Sequence, residues 1–149
     1  MEVTGTAALI LEAKGRAIYT ISPEATVFEA IQELDRRNVG ALLVMEGERL
    51  VGIFSERDYT RKVALQGRSS RDTRVREVIT GRVVTVSSDT PVAECMRAMS
   101  AHRVRHLPVM DGDKVTGVIS IGDLVNFIIG AQRATIEQLH NYIAGGYPG

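Results

Sequence analysis

The chain has 149 residues, 44% apolar and 24% charged, enough for one ordinary domain with a substantial core. Its 18 lysines and arginines balance 18 aspartates and glutamates, so no global field draws it to nucleic acid or an anionic membrane, and any binding must be local. The single cysteine, Cys95, excludes an intrachain disulfide and a multi-cysteine zinc cluster and points to a reducing interior.

Residues 1–15, MEVTGTAALILEAKG, read as an N-terminal helical segment with no basic leader, and no apolar run approaches the roughly 18 residues needed to span a bilayer. A cytoplasmic protein with no membrane contact is expected. Beyond this segment the sequence repeats itself. A shift of 65 positions aligns Thr20 with Thr85, Val27 with Val92, Leu42 with Leu107, Gly52 with Gly117, Ser55 with Ser120 and Asp58 with Asp123. Two copies of one supersecondary unit therefore fill nearly the whole chain. The expected divisions are a first repeat over 16–66, a polar linker over 67–74, a second repeat over 75–130, and a C-terminal helix and tail over 131–149.

Each copy reads as strand, helix, strand, strand, helix, so the expected fold class is α/β (α+β) with two tandem β-α-β-β-α repeats. The first strands are AIYTI (Ala17 to Ile21) and VVTV (Val83 to Val86), rich in β-branched residues. Thr26 with Glu29 predicts a capping box, and Thr90 before Pro91 predicts a helix with proline in its first position. Val27, Ala30, Ile31 and Leu34, then Val92, Cys95, Met96 and Met99, mark one apolar stripe on each helix. Cys95 thus reads as a small core hydrophobe rather than a catalytic thiol. ALLVM and LVGIF, like HLPVM and VTGVI, flank an acidic residue and a glycine and predict hairpins.

Each hairpin runs into Gly-x-x-Ser-x-x-Asp, as GIFSERD (Gly52 to Asp58) and GVISIGD (Gly117 to Asp123). The plain reading is a helix cap: the hydroxyl accepts from free backbone N–H groups and the carboxylate favours the positive helix end. The repeated glycine adds a second meaning, because it lets a backbone or a ligand approach closely. A strand entering a helix N-terminus suits phosphate, and an ionised aspartate suits the two hydroxyls of a ribose. Together they suggest a nucleotide.

The element order, the doubled G-x-x-S-x-x-D and the stretch RHLPVMDGDKVTGVISIGD resemble a tandem pair of cystathionine-β-synthase (CBS) domains, a Bateman module, over about residues 15 to 130. The resemblance implies two repeats packed around a pseudo-twofold axis, with two clefts for adenosine-type ligands such as AMP, ADP, ATP, NAD or S-adenosylmethionine. It implies that Asp58 and Asp123 hold the ribose and that Ser55 and Ser120 lie near ribose or phosphate. Adenine is expected against Thr20, Ile21, Thr85 and Val86 and against the starts of the second strands, Gly40-Ala41 and Arg105-His106. Arg57, Arg105 and His106 are assigned to phosphate. Where many nucleotide-binding members carry Ser or Thr before the aspartate, this chain has Arg57 and Gly122. That departure, with Gly40-Ala41 facing Arg105-His106 in the alignment, makes the two clefts chemically unequal.

His102 and His106 lie four apart but lack a third ligand, so imidazoles facing solvent or ligand are favoured over a metal site, and His140 reads as a surface residue of the tail. Arg68, Arg71, Arg74, Arg76 and Arg82 have no interleaved aromatics, so a solvated linker is favoured over nucleic-acid binding. No Walker loop, dinucleotide fingerprint or nucleophile elbow is present. The expected function is a free-standing, non-enzymatic sensor with no catalytic cofactor. Nucleotide occupancy is read by an unknown regulated protein. The alternatives are an adaptor with vestigial clefts and, less favoured, a nucleotide enzyme using His102, His106 and Asp123. A homodimer is expected, since family pairs associate through their helices and Ile136, Leu139 and Ile143 add an apolar stripe.

Overall fold

The computed structural model describes residues 4–79 and 82–141. Helix α1 (Ala7–Lys14) precedes the first repeat, which comprises β1 (Thr20–Ile21), α2 (Val27–Arg37), β2 (Ala41–Glu46), β3 (Arg49–Ser55) and α3 (Glu56–Tyr59). A π-helical turn, Thr60–Ala64, extends α3, and a 3₁₀ turn, Val75–Glu77, follows. The second repeat comprises α4 (Val92–His102), β4 (His106–Asp111), β5 (Lys114–Ser120) and α5 (Ile121–Asn141). The arrangement is the α+β class that the sequence implies.

Of the two predicted helix starts, α2 keeps the Thr26 half of its capping box and α4 has no side-chain cap. Thr26 Oγ1 accepts the Glu29 N–H at 3.1 Å, and α2 buries Val27, Ala30 and Leu34. In the second repeat Pro91 takes the N-cap position, one residue earlier than its predicted place inside the helix. Thr90 faces backward instead, its hydroxyl accepting the Ser87 N–H at 3.0 Å. Cys95 is fully buried on α4, and burial pushes its thiol up, as expected of an inert core group.

The hairpins share one register. Ala41 faces Ser55 as His106 faces Ser120, Val44 faces Gly52 as Val109 faces Gly117, and both β2 and β4 shift register after the valine. Gly47 and Gly112 open the turns at φ 64, which favours glycine at the first position of a tight hairpin turn. The first strands are shorter than predicted. β1 pairs in parallel with β2 over two residues, and its counterpart shrinks to a single bridge between Val86 and Val109. Leu43 donates its N–H to the Tyr19 carbonyl at 3.0 Å, whereas the equivalent residue, Pro108, has no N–H to give.

The repeats are interlaced by the segments that precede them. α1 inserts Ala7, Ile10 and Leu11 into the core of the second repeat, with Val92, Cys95, Leu107 and Ile119. Val75 and Val78, which follow the linker, are buried in the core of the first repeat. Backbone bonds match: Val92 N–H reaches the Gly5 carbonyl at 3.0 Å, and Val27 N–H reaches the Thr73 carbonyl at 2.8 Å. The repeated glycine serves this crossing. A Cβ at Gly52 would lie 2.6 Å from Ile79 Cδ1, and one at Gly117 would lie 2.6 Å from Leu11 Cδ2. The close approach foreseen for a backbone or ligand is made by an apolar side chain.

Candidate functional site

Both Ser-x-x-Asp motifs close a cap. Ser55 Oγ accepts the Asp58 N–H at 3.3 Å, and Asp58 Oδ2 accepts the Ser55 N–H at 2.9 Å. Ser120 and Asp123 repeat this at 3.1 and 2.8 Å. The first helical N–H in each copy is held by the other hairpin strand's start: Glu56 donates to the Gly40 carbonyl at 3.2 Å and Ile121 to the Arg105 carbonyl at 2.8 Å. The carboxylates are thereby fixed at the strand–helix junctions, each next to a lysine. Asp58 Oδ1 lies 3.5 Å from Lys62 Nζ, one helical turn away, and Asp123 Oδ2 lies 2.6 Å from Lys14 Nζ of α1.

Two clefts lie where one repeat meets the other. One, of about 320 Å³, joins Ser120 and Asp123 of the second repeat to Tyr19, Asn38, Gly40 and Ala41 of the first, with Lys14 at its edge. The other, of about 550 Å³, joins Ser55, Arg57, Asp58 and Lys62 of the first repeat to Arg103, Val104, Arg105 and His106 of the second. Gly40 and His106 line both clefts, and a Cβ at Gly40 would lie 3.4 Å from His106 Nε2. The absent side chain leaves room for the imidazole at the junction.

The electrostatics differ between the clefts. Burial pushes the Asp123 carboxyl up, but the Lys14 ammonium, the Ser120 N–H and the Ser120 hydroxyl outweigh it and hold the carboxyl below the usual range. Burial lowers the His106 imidazole, Asp123 raises it and Lys14 and Arg105 lower it, with a net downward shift that favours the neutral ring at pH 7. In the Asp58 cleft, Lys62 is tied to Asp58 and to the Val78 carbonyl at 3.0 Å. Among the described residues, Arg57, Arg103 and Arg105 pair with no carboxylate.

The residues singled out from sequence divide accordingly. Gly40, Ala41, His106, Ser120 and Asp123 come together in one cleft, and Gly40, Ser55, Arg57, Asp58, Arg105 and His106 in the other. Thr20, Ile21, Thr85 and Val86 line neither. Ile21 packs on the first core and Val86 on the second, while Thr85 faces a separate depression beside Met110. The strand end that does reach a cleft is Tyr19, whose ring is covered by the Arg37 guanidinium 5.0 Å from its centroid. Asn38 and Arg103 were also missed, although they occupy equivalent positions two residues before the noted pairs. Lys14 carries no sequence signal, because it reaches Asp123 across 109 positions from outside the repeats.

His102 closes α4 and His106 opens β4, and among the described residues no group of three or more His, Cys, Asp or Glu could hold a metal ion. Among the same residues no helix is long and apolar enough to cross a membrane. In the linker Arg68 pairs with Glu77 at 2.6 Å and Arg71 covers the Phe28 ring at 3.8 Å, so these arginines are engaged within the fold.

The CBS domain model matches residues 15–65 and again 75–130. The "CBS domain-containing protein CBSX3, mitochondrial" of Arabidopsis thaliana is 40% identical over 127 residues, covering 82% of this chain and 62% of that protein, so the chain spans less than two thirds of that relative. The structure of a putative signal-transduction protein with CBS domains from Burkholderia ambifaria MC40-6 matches at 49% identity and a TM-score of 0.83, over 86% of this chain and 96% of that one. The CBS domain protein PAE2072 from Pyrobaculum aerophilum, complexed with AMP, matches at 28% identity and a TM-score of 0.71, over 80% of this chain and 89% of that one.

Proposed function

The chain belongs to the CBS-domain family, and from that premise we propose that it is a regulatory module that binds adenosine-containing ligands in its two clefts. The ligands in question are AMP, ADP, ATP, NAD and S-adenosylmethionine. The observation that carries this reading is the pairing in each cleft of one repeat's Ser–Asp junction with the other repeat's strand start. A bound ligand touches both repeats at once, so its differential affinity for two relative placements of the repeats sets how far occupancy can shift them. The AMP complex of the Pyrobaculum relative supports the ligand class.

In this reading Asp58 and Asp123 accept from ribose hydroxyls, Ser55 and Ser120 lie beside them, and Arg57, Arg105 and His106 face the phosphate end. No residue in either cleft is assigned as an activated nucleophile, and the module is read as a binder rather than an enzyme. A protein partner in the cytoplasm reads the ligand state. The test is native mass spectrometry of the purified protein followed by titration with the five ligands. An adenosine-type adduct, or saturable binding of at least one ligand, is expected.

The fully formed caps favour one second reading, an adaptor in which both aspartates serve only the helices. Absence of binding by the whole panel selects it.

Self-association fits either reading. Met96 of α4 and Ile121, Val125 and Ile129 of α5 are 41 to 47% exposed and form one apolar face beside a depression of about 440 Å³. Ile136 and Leu139 extend it, and Ile143 lies outside the described residues. A homodimer covering this face is proposed. Sedimentation at tens of micromolar, on the order of ordinary dimer affinities, checks it, with a monomer counting against it.

A further inference from the structure

Arg103 is the C-cap of α4 and sits in the left-handed region at φ 54, where its equivalent in the first repeat is Asn38, also at φ 54. Asparagine visits that conformation readily, whereas arginine pays the full steric cost of its Cβ. The strained residue is also the one that adds a positive charge to a cleft. Retention of a strained side chain at a cleft wall is a reason to look for what it binds.

The two cleft walls differ in the same sense at each equivalent position. Asn38, Gly40 and Ala41 line the Asp123 cleft where Arg103, Arg105 and His106 line the Asp58 cleft, and Arg57 is added to the latter where Gly122 is the counterpart. The Asp58 cleft thus sets Arg57, Arg103, Arg105 and Lys62 against Asp58 and Glu56, and its three guanidinium groups form no ion pair among the described residues. Among the described residues the Asp123 cleft has one lysine or arginine, Lys14, already held by Asp123 and the Val118 carbonyl, and it has the aromatic ring of Tyr19.

We propose that the Asp58 cleft is the polyphosphate cleft, taking an adenosine di- or triphosphate through Arg57, Arg103 and Arg105, and that the Asp123 cleft takes ligands dominated by base and ribose. The inference rests on the adenosine-binding reading above and assigns a ligand class to each half of it. Guanidinium groups suit this role because they present several donors in a plane to phosphate oxygens and stay charged. Neutral Asn38 and Gly40 offer no such compensation, and Lys14 is already engaged, so a polyphosphate entering the Asp123 cleft would exchange its hydration for one cation in place of three guanidinium groups.

The test is calorimetric titration of the whole chain with ATP and with adenosine, on wild type, Arg103→Asn, Arg105→Ala, Asp58→Asn and Asp123→Asn. Arg103→Asn installs the residue that already serves the equivalent cap, so folding is retained. ATP affinity is expected to fall about tenfold or more in Arg103→Asn, in Arg105→Ala and in Asp58→Asn, the effect of losing one charge-assisted bond. Adenosine affinity is expected to stay within about twofold in the arginine variants and to fall in Asp123→Asn. ATP binding that survives both arginine substitutions, or that is lost in Asp123→Asn and not in Asp58→Asn, overturns the assignment while leaving adenosine binding intact. The same arginines border the apolar face of α4 and α5. Loss of self-association with unchanged ATP binding would therefore assign them to that face and also overturn the inference. Failure of ATP and adenosine alike to bind wild type removes the parent reading with it.

Discussion

Lys14 Nζ lies 2.6 Å from Asp123 Oδ2 and 2.7 Å from the Val118 carbonyl oxygen, tying the helix before the first repeat to the carboxylate proposed to read ribose in the second. A ligand whose ribose takes Asp123 must compete with that ammonium. Lys14→Met is therefore expected to tighten adenosine binding severalfold while lowering the stability of the free protein by up to about 1 kcal/mol, the range of a partly exposed pair. The folded Asp123 carboxyl is held low, so its contribution is present above its unfolded value of about 3.9 and is lost as pH falls through the lower folded value. The stability gap between wild type and Lys14→Met is accordingly expected to close in acid. Denaturant titrations at pH 7 and pH 3 check this, and a gap of equal size at both would argue against the pair.

The contact between Leu11 and Gly117 makes the interlacing measurable. Gly117→Ala places a methyl 2.6 Å from Leu11 Cδ2, and overpacking of this kind costs about 1 to 3 kcal/mol. Leu11→Ala alone empties a fully buried position and is expected to cost about 2 to 5 kcal/mol. In the double variant the new methyl meets space, so the two losses should fall short of additivity by more than about 0.5 kcal/mol. Strict additivity in urea unfolding would mean that α1 does not cross to the second repeat in solution.

His106 is held below its ordinary value chiefly by burial. Its contribution to stability is complete above the unfolded value of about 6.5 and declines as pH falls through the lowered folded value, because the unfolded chain takes up the proton first. His106→Gln should flatten the stability profile below about pH 6.5. Unfolding midpoints at pH 7.5 and pH 5 measure it, and an acid limb as steep as that of wild type contradicts the placement.

Arg103→Gly should raise the stability of the free protein by roughly 0.5 to 1 kcal/mol, since glycine takes the left-handed cap without the Cβ penalty. If the side chain serves a ligand, the gain in the free protein comes with weaker ATP binding, the usual exchange between stability and function. A thermal melt with and without ATP separates the two effects.

The doubled hairpins and the helix stripes were legible because period, turn chemistry and a constant offset all act within one repeat, except at Met96, which the periodicity places on the α4 stripe and the structure leaves 42% exposed. Ser55, Asp58, Ser120 and Asp123 stood out for the same reason. What the repeat hides is contact between copies. Lys14, Tyr19 and Asn38 reach the Asp123 junction only because the chain is interlaced, and no local spacing encodes that. The reduction of the second repeat's first strand to one bridge has a local cause that could have been read. Pro108 stands where Leu43 donates to Tyr19, and a missing N–H predicts a weaker pairing.

The most direct test of ligand reading by Asp58 and Asp123 is a thermal-shift panel of AMP, ADP, ATP, NAD and S-adenosylmethionine on wild type, Asp58→Asn, Asp123→Asn and the double variant. At ligand about 100 times its dissociation constant one site adds roughly 2.7 kcal/mol, or a melting shift on the order of 5 to 10 °C for a chain of this size. If the carboxylates hold ribose, each substitution costs about 1.5 to 3 kcal/mol of binding at its own cleft. Each ligand's shift should then shrink in the variant of the cleft it occupies, stay near the wild-type value in the other single variant, and fall for every ligand in the double. If they are only caps, the free protein loses about 0.3 to 1 kcal/mol and the shift stays. A wild-type protein that ignores the whole panel and is purified free of nucleotide would contradict the account and leave the repeated serine and aspartate as helix caps.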